Sequence, residues 1–262
     1  MLVHVHELDV GLRETLAPAD RALLFARASH LVAASGAVAD VLVHGHGIAR
    51  IASPPARSSS TSPPSTPPRA AVRAELGVPT DAAVVGSVGL PDWRKDPEHL
   101  LRAVARLGER PGGRPWVVWI GGDPASVDGR HLADEARRLG VEDRLVHVAH
   151  RDDPAALLSA LDVFALPARE DALPLAALEA AGTGLPLVCF RTGGVAALCD
   201  QGAGTAVDYP DTDAFAEAIG RFLDDPTARE AAGARARSIV ATHHDLEPGV
   251  ARIAAVVDRL LG

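Results

Sequence analysis

The sequence predicts an α/β protein: a doubly wound parallel sheet of Rossmann-like type, preceded by a partial N-terminal α/β segment. Three observations carry this. From about Ala71, short apolar runs of strand length alternate with helical stripes, the pattern of right-handed βαβ units in a sheet covered on both faces. A stretch dominated by Pro and Ser sets that region apart from the start of the chain. The first fifty residues show the same alternation but are too few to close a sheet.

Leu2-Val3-His4-Val5-His6 alternates as a strand does, and Leu12 to Ala28 carries a helical stripe interrupted at Pro18. His30 to Ser35 reads as a second strand and Gly36 to Val43 as a return to helix. Residues 1–50 are therefore expected to be the tail end of a domain whose beginning is absent. Ser53 to Arg69 (SPPARSSSTSPPSTPPR) has almost no apolar side chain to offset the entropy of ordering it, so residues 51–70 are expected to form a flexible, partly extended linker. In the domain that follows, residues 71–245, strands are expected at Ala83–Val88, Trp116–Gly121, Arg144–Val148, Asp162–Leu166, Pro186–Phe190 and Gly204–Asp208. Helices are expected at Pro97–Leu107, His131–Leu139, Pro154–Leu161, Pro174–Ala181, Val195–Cys199, Ala214–Leu223 and Pro226–Thr242. Residues 246–262 read as a terminal helix, and no internal repeat is visible.

A net charge of −8 argues against sequence-independent binding of nucleic acid or anionic lipid. The apolar tracts are too short for a transmembrane span. Two cysteines, Cys189 and Cys199, make no disulfide framework, and no signal peptide is read, so a reducing, cytoplasmic setting is the expectation. Of the 26 basic side chains only Lys95 is lysine. Nucleotide bias accounts for the arginines, and it draws attention to the one position where a compact, flexible ammonium persists.

Ligands of doubly wound sheets bind beyond the carboxyl ends of the strands, which directs attention to four loops. The first runs from Gly86 through Arg94 and Lys95 to Pro97. Its glycines, its cations and the helix start after it suit a phosphate, and they equally suit a plain βα turn with two solvated cations. It matches neither GxGxxG nor GxxxxGK[ST], which disfavours an NAD-dependent oxidoreductase and a P-loop NTPase. The second, Gly121-Gly122-Asp123-Pro124, reads as a tight turn. In the third, His150 and Arg151 stand at a strand end, and Asp153 before Pro154 reads as a helix N-cap. The fourth spans Pro167 to Gly182 and holds Glu170, Asp171, Leu173, Leu175 and Glu179. Pro174 marks the first helical turn, whose free amides can receive an anion. Glu179 falls four residues beyond Leu175, on the face Leu175 is expected to give to the core. A carboxylate in an apolar stripe wants partners, and vicinal sugar hydroxyls suit it; the other reading is a carboxylate escaping at the helix edge. Asp171 reads either as a group at the loop mouth or as turn chemistry. His4 and His6 share one strand face with metal-ligand spacing, but no matching third ligand appears, so no metal is expected. His44 and His46 fall in a loop and are given no role.

Asp171-x7-Glu179 within "RED…PL…LEA", with Ala160 to Pro167, Gly184 to Val188 and Thr192-Gly193-Gly194-Val195 around it, resembles the nucleotide-sugar-dependent retaining glycosyltransferases of the glycogen-synthase-like superfamily (glycosyltransferase family four, B-type fold). The likeness covers roughly residues 80–225. His4-Val5-His6-Glu7-Leu8 and Ala28 to Ser35 resemble text near the end of that family's first, acceptor-side domain. The resemblance implies that Glu179 holds the donor's ribose hydroxyls and that Asp171 faces the donor sugar. It also implies that amides near Leu173 and Leu175 approach the sugar and diphosphate, that Lys95 neutralises the diphosphate, and that His6 lies near the sugar. Gly86, Arg94, His150, Arg151 and Glu170 complete the expected donor-side set. The implied reaction moves a glycosyl group from a UDP-, GDP- or ADP-sugar to an acceptor (glycan, lipid or small molecule) with retained configuration and no obligatory metal. The alternative is a non-catalytic nucleotide-binding remnant or regulatory subunit of such an enzyme.

The sequence also departs from the family pattern. Gly89 or Leu90 stands where the family has an arginine before the lysine, and Arg94 is a candidate substitute. The first acidic residue of the pair is Asp rather than Glu, the usual proline-glutamate after the paired glycines is Ala196-Ala197, and Pro174 brings no amide.

Overall fold

The computed structural model describes residues 1–48, 51–52, 67–108, 113–151, 153–244 and 246–261. The chain begins with β1 (Leu2–Val5), α1 (Asp9–Thr15), α2 (Pro18–Arg27), β2 (His30–Ala33), α3 (Gly36–Asp40) and β3 (Ile51–Ala52). Pro18 opens α2, which is why the long helical stripe breaks there. The Ser35 hydroxyl caps α3 by accepting from Val38 N at 3.3 Å. A wide helical turn, Val41–Gly45, prolongs α3 and takes in His44, where a loop was expected. The three strands form one parallel sheet in the order β1-β2-β3.

Ile51 and Ala52 thus pair with Leu31 and Val32 instead of starting a linker. Two residues of strand are too short to read from periodicity; their partner strand decides them. The rest of the Pro/Ser-rich stretch, residues 53–66, lies outside the described residues. The expected linker also overlaps α4 (Arg69–Glu75) at its end.

The larger sheet alternates β4 (Val84–Val88), α5 (Pro97–Leu107), β5 (Trp116–Ile120), α6 (Val127–Arg138), β6 (Leu145–Val148), α7 (Pro154–Leu157), β7 (Val163–Leu166), α8 (Leu175–Thr183), β8 (Leu187–Phe190), α9 (Val195–Leu198) and β9 (Gly204–Val207). Three helices follow: α10 (Thr212–Asp224), α11 (Pro226–His243) and α12 (Leu246–Leu261). All strand pairs are parallel, in the order β6-β5-β4-β7-β8-β9. This is the doubly wound arrangement expected from the sequence, and its order reverses between β4 and β7. One layer of core gathers Val84, Val118, Phe164, Leu178 and Leu187 under α8 and α11. The other gathers Val85, Leu100, Trp119, Phe190, Phe215 and Ile219 under α5 and α10. Strands clothed on both faces read as unbroken apolar runs, so their alternation with helices was visible in the sequence.

Asp162 and Arg73 hold the amino ends of the two central strands. Asp162 N donates to Val84 O, and the Asp162 carboxylate accepts from Val84 N, each at 2.8 Å. The Arg73 guanidinium, 1% exposed, donates to Asp162 Oδ2 at 2.9 Å and to the carbonyls of Ala160, Thr80 and Ala82. Among the described residues no helix is long and apolar enough to cross a membrane.

Candidate functional site

Because the strand order reverses between β4 and β7, the loops after these two strands meet at the carboxyl edge of the sheet, where such folds bind their ligands. The first loop is shaped by its own polar atoms. Gly89 N donates to Ile120 O at 2.9 Å, and Trp119 Nε1 donates to Gly89 O at 3.0 Å. Asp92 Oδ1 accepts from the amides of Arg94 (3.1 Å) and Lys95 (3.0 Å), an Asx turn that folds the loop back. Asp96 then takes a left-handed backbone (φ 48°, ψ 54°), which Asp tolerates better than most residues, before Pro97 starts α5. Lys95 is thereby delivered onto Asp171 of the second loop, its ammonium hydrogen-bonded to Asp171 Oδ2.

The second loop is pinned from several sides. Asp171 forms a short parallel bridge with Gly193, where a Cβ would lie 1.6 Å from Asp171 O; only glycine lets the chains pass. Ala172 O accepts from Gly194 N (3.0 Å) and from the Ser35 hydroxyl of the first sheet's region (2.8 Å). Arg169 N donates to Arg94 O at 2.8 Å, and Arg169 Nε lies 2.8 Å from Asp96 Oδ2. Burial pushes the Asp96 carboxyl up, but His99 and Arg169 outweigh it and hold the group below its ordinary value.

Other predicted residues fall in different places. Arg94 pairs with Glu7, at 3.3 Å, so it spans the two sheets. His6 is exposed just beyond β1, its ring 4.0 Å from that of His4. Leu173 is half-buried against the core, and Glu179 is half-buried on α8. Leu175, by contrast, is 48% exposed: the core face of α8 is Ala177, Leu178, Ala180 and Ala181. Nearly every side chain of that helix is apolar, so periodicity could not select its buried face, and Glu179 follows Leu175 on the open side. Pro174 is the N-cap and precedes the first helical residue.

Glu170, expected on the donor side, is engaged by the first sheet's region. Its two oxygens accept from Val10 N and Gly11 N at the start of α1, each at 3.1 Å. Gly86 lies inside β4 under Leu161, where a Cβ would be 2.6 Å from the Leu161 side chain; it is glycine for packing. Arg151 is held by Asp153 (2.8 and 2.9 Å) and Glu75 (2.5 Å). Asp153 is consequently an ion-pair partner and makes no side-chain cap bond to α7. His150 is exposed, its amide donating to Gly122 O at 2.8 Å. The described residues hold no group of three or more His, Cys, Asp or Glu arranged for a metal ion.

Asp96, Arg169, Asp92 and Ser35 were not singled out from the sequence. The available signal was Asp96 before Pro97, since a residue before proline is pushed out of the right-handed helical region.

Comparison with known proteins identifies the family and the fold. Residues 68–239 match the model of the family described as "Glycosyl transferases group 1". Proteins named D-inositol 3-phosphate glycosyltransferase are similar: that of Kineococcus radiotolerans is 38% identical over 203 residues, 70% of this chain and 46% of its own length. That of Saccharomonospora viridis is 38% identical over 169 residues, 62% of this chain and 39% of its own length. The chain therefore spans less than half of the length of these relatives. Among solved structures, sucrose-phosphate synthase from Thermosynechococcus elongatus shares the fold with a TM-score of 0.82 at 24% identity, covering 99% of this chain and 67% of that one. Anabaena HepE, solved with UDP-glucose, shares it with a TM-score of 0.82 at 20% identity, covering 98% of this chain and 72% of that one. A family match over residues 68–239, which takes in the whole of the larger sheet, places this chain in the group 1 glycosyl transferase family.

Proposed function

We propose that this chain binds a nucleotide sugar at the reversal between β4 and β7 and takes part in moving its glycosyl group to an acceptor hydroxyl with retained anomeric configuration. The observation that carries this is the placement of the chain's one lysine against Asp171 at that edge, beside the start of α8. Lys95 exchanges Asp171 for the donor's diphosphate, whose charge grows as the bond from the sugar's anomeric carbon breaks. The first amides of α8 add fixed positive partial charge on the same side. Asp171, released, accepts from the donor sugar's hydroxyls, and Glu179 accepts from the ribose. His6, from the first sheet's edge, reaches the sugar from across the cleft that Arg94 and Glu7 bridge. HepE was solved with UDP-glucose, which makes a UDP-sugar the first donor to try, with GDP- and ADP-sugars beside it. The name shared by the similar sequences points to a polyol phosphate as the first acceptor to offer.

Titration calorimetry with the three donor classes tests the reading. One class binds the wild-type chain, and Lys95→Ala and Glu179→Ala each weaken it about tenfold or more, the loss of one charge-assisted contact. Unchanged affinity in both variants refutes the assignment.

A further inference from the structure

Asp96 does more than cap α5. Its side chain is fully buried, and Oδ2 gathers Arg169 Nε at 2.8 Å, His99 Nδ1 at 2.7 Å and, at 3.5 Å, the Tyr209 hydroxyl. His99 packs in turn against Phe190 and Tyr209, with ring centroids 5.4 and 5.5 Å away. Segments following β4, β7 and β9 thus converge on one carboxylate, and Phe190 at the end of β8 packs against the His99 and Tyr209 rings around it. Asp96 directly follows Lys95, and Arg169 precedes Asp171 by two residues, so the Asp96–Arg169 pair sits immediately behind the Lys95–Asp171 pair. The bond from Arg169 N to Arg94 O, at 2.8 Å, fastens the same two loops a second time.

We infer that Asp96 and Arg169 are positioning residues that set the Lys95 loop and the Asp171 loop at the spacing a donor diphosphate requires. The inference rests on the donor reading above. It makes a prediction that simple electrostatics opposes. Asp96 is a negative charge next to the cation that receives the anion, so removing that charge alone tightens diphosphate binding. If Asp96 acts by holding geometry, removing the charge weakens it, because a displacement of about 1 Å at such a site costs far more than the relieved repulsion.

The experiment measures calorimetric affinities for UDP, GDP and ADP, with thermal melts, for the wild type, Asp96→Asn, Asp96→Glu, Arg169→Gln, Arg169→Lys and Lys95→Ala. Asn keeps the shape and the tolerance for the left-handed backbone while losing the charge. The expected result is that Asp96→Asn and Arg169→Gln bind the preferred nucleotide about tenfold more weakly than wild type. Arg169→Lys, which keeps the charge, recovers most of that loss. If Asp96→Asn does not fold, Asp96→Glu decides: it keeps the charge and displaces the carboxylate from Arg169, so weaker nucleotide binding supports positioning and unchanged affinity overturns it. Equal or tighter binding by Asp96→Asn and Arg169→Gln, with binding lost in Lys95→Ala, overturns this inference and leaves the donor reading standing. A lowered melting temperature with unchanged nucleotide affinity makes the pair merely structural and overturns it too. Failure of the wild type to bind any of the three nucleotides overturns both.

Discussion

Replacing Asp162 by alanine should destabilise the larger sheet's domain more than any single change at the site. The carboxylate satisfies Val84 N at the start of β4 and pairs with both Arg73 and Arg69. Burial pulls the Arg73 guanidinium below its ordinary value, with Arg69 adding to this, and Asp162 acts the other way. Breaking a buried ion pair by removing one partner costs about 3–5 kcal/mol, and an orphaned buried amide costs about 1–3 kcal/mol more. Arg73 keeps its three carbonyl partners, so the loss should fall near the lower part of that sum, about 4 kcal/mol. For a domain of this size that is a fall of about 8–16 °C in Tm. Urea unfolding followed by tryptophan fluorescence measures it directly, since Trp93, Trp116 and Trp119 all belong to this half of the chain. Asp162→Asn, which can still accept from Val84 N, should lose about half as much. A loss below about 1 kcal/mol for Asp162→Ala at an unchanged denaturant slope would show that Arg73 does not depend on this carboxylate.

Three further outcomes follow from particular contacts. Gly193→Ala places a methyl group on Asp171 O, so it should cost about 2–3 kcal/mol in urea unfolding and weaken nucleotide binding by shifting Asp171. Glu170→Gln replaces a two-oxygen acceptor with one oxygen and a donor, and hydrogen exchange at the Val10 and Gly11 amides should accelerate about tenfold. Glu135 is held below its ordinary value of 4.5 by its bond to Arg138, with Arg102 assisting. A carboxylate with a depressed folded value stabilises above its unfolded value and loses that contribution as pH falls through the folded one. Urea midpoints should therefore drop as pH falls below about 4.5, and Glu135→Gln should flatten that drop.

Much of the larger sheet was legible because its strands are buried on both faces, which turns them into apolar runs that local pattern detects. Lys95 was legible through composition: bias toward arginine left one lysine, and the structure puts it where the sheet order reverses. Spacing singled out Asp171 and Glu179, and the structure places the first against Lys95 and the second half-buried on α8. What was not legible has a common cause, since it depended on partners distant in sequence. Glu170 adjoins Asp171, yet its carboxylate belongs to amides 159 and 160 residues away. Gly86 looked like the first glycine of a ligand loop, and Leu161, from the turn before β7, explains it instead. Asp153 had the sequence of a cap and was drawn off by Arg151. Asp96 shows the opposite limit: its backbone strain was hinted at by Pro97, but the carboxylate's convergence with Arg169, His99 and Tyr209 exists only once the segments following β4, β7 and β9 lie together.

These misplacements also explain how the mouth of the site is held. Apolar packing fixes the strands but ends with them, and the loops beyond rely on opposite charges set pairwise: Lys95 with Asp171, Arg94 with Glu7, Arg169 with Asp96. Only the last of these has a fully buried carboxylate; Arg94–Glu7 is about one-third exposed on both sides, where an ion pair contributes at most about 1 kcal/mol, and Lys95–Asp171 is less open, at 23% and 13%. Under the donor proposal, an anion arriving at the edge takes the place of Asp171 on Lys95 while the Asp96–Arg169 pair behind it stays. A loop fastened behind by a buried carboxylate and in front by pairs that water reaches can change partners without losing its shape, which is what the donor proposal requires of it.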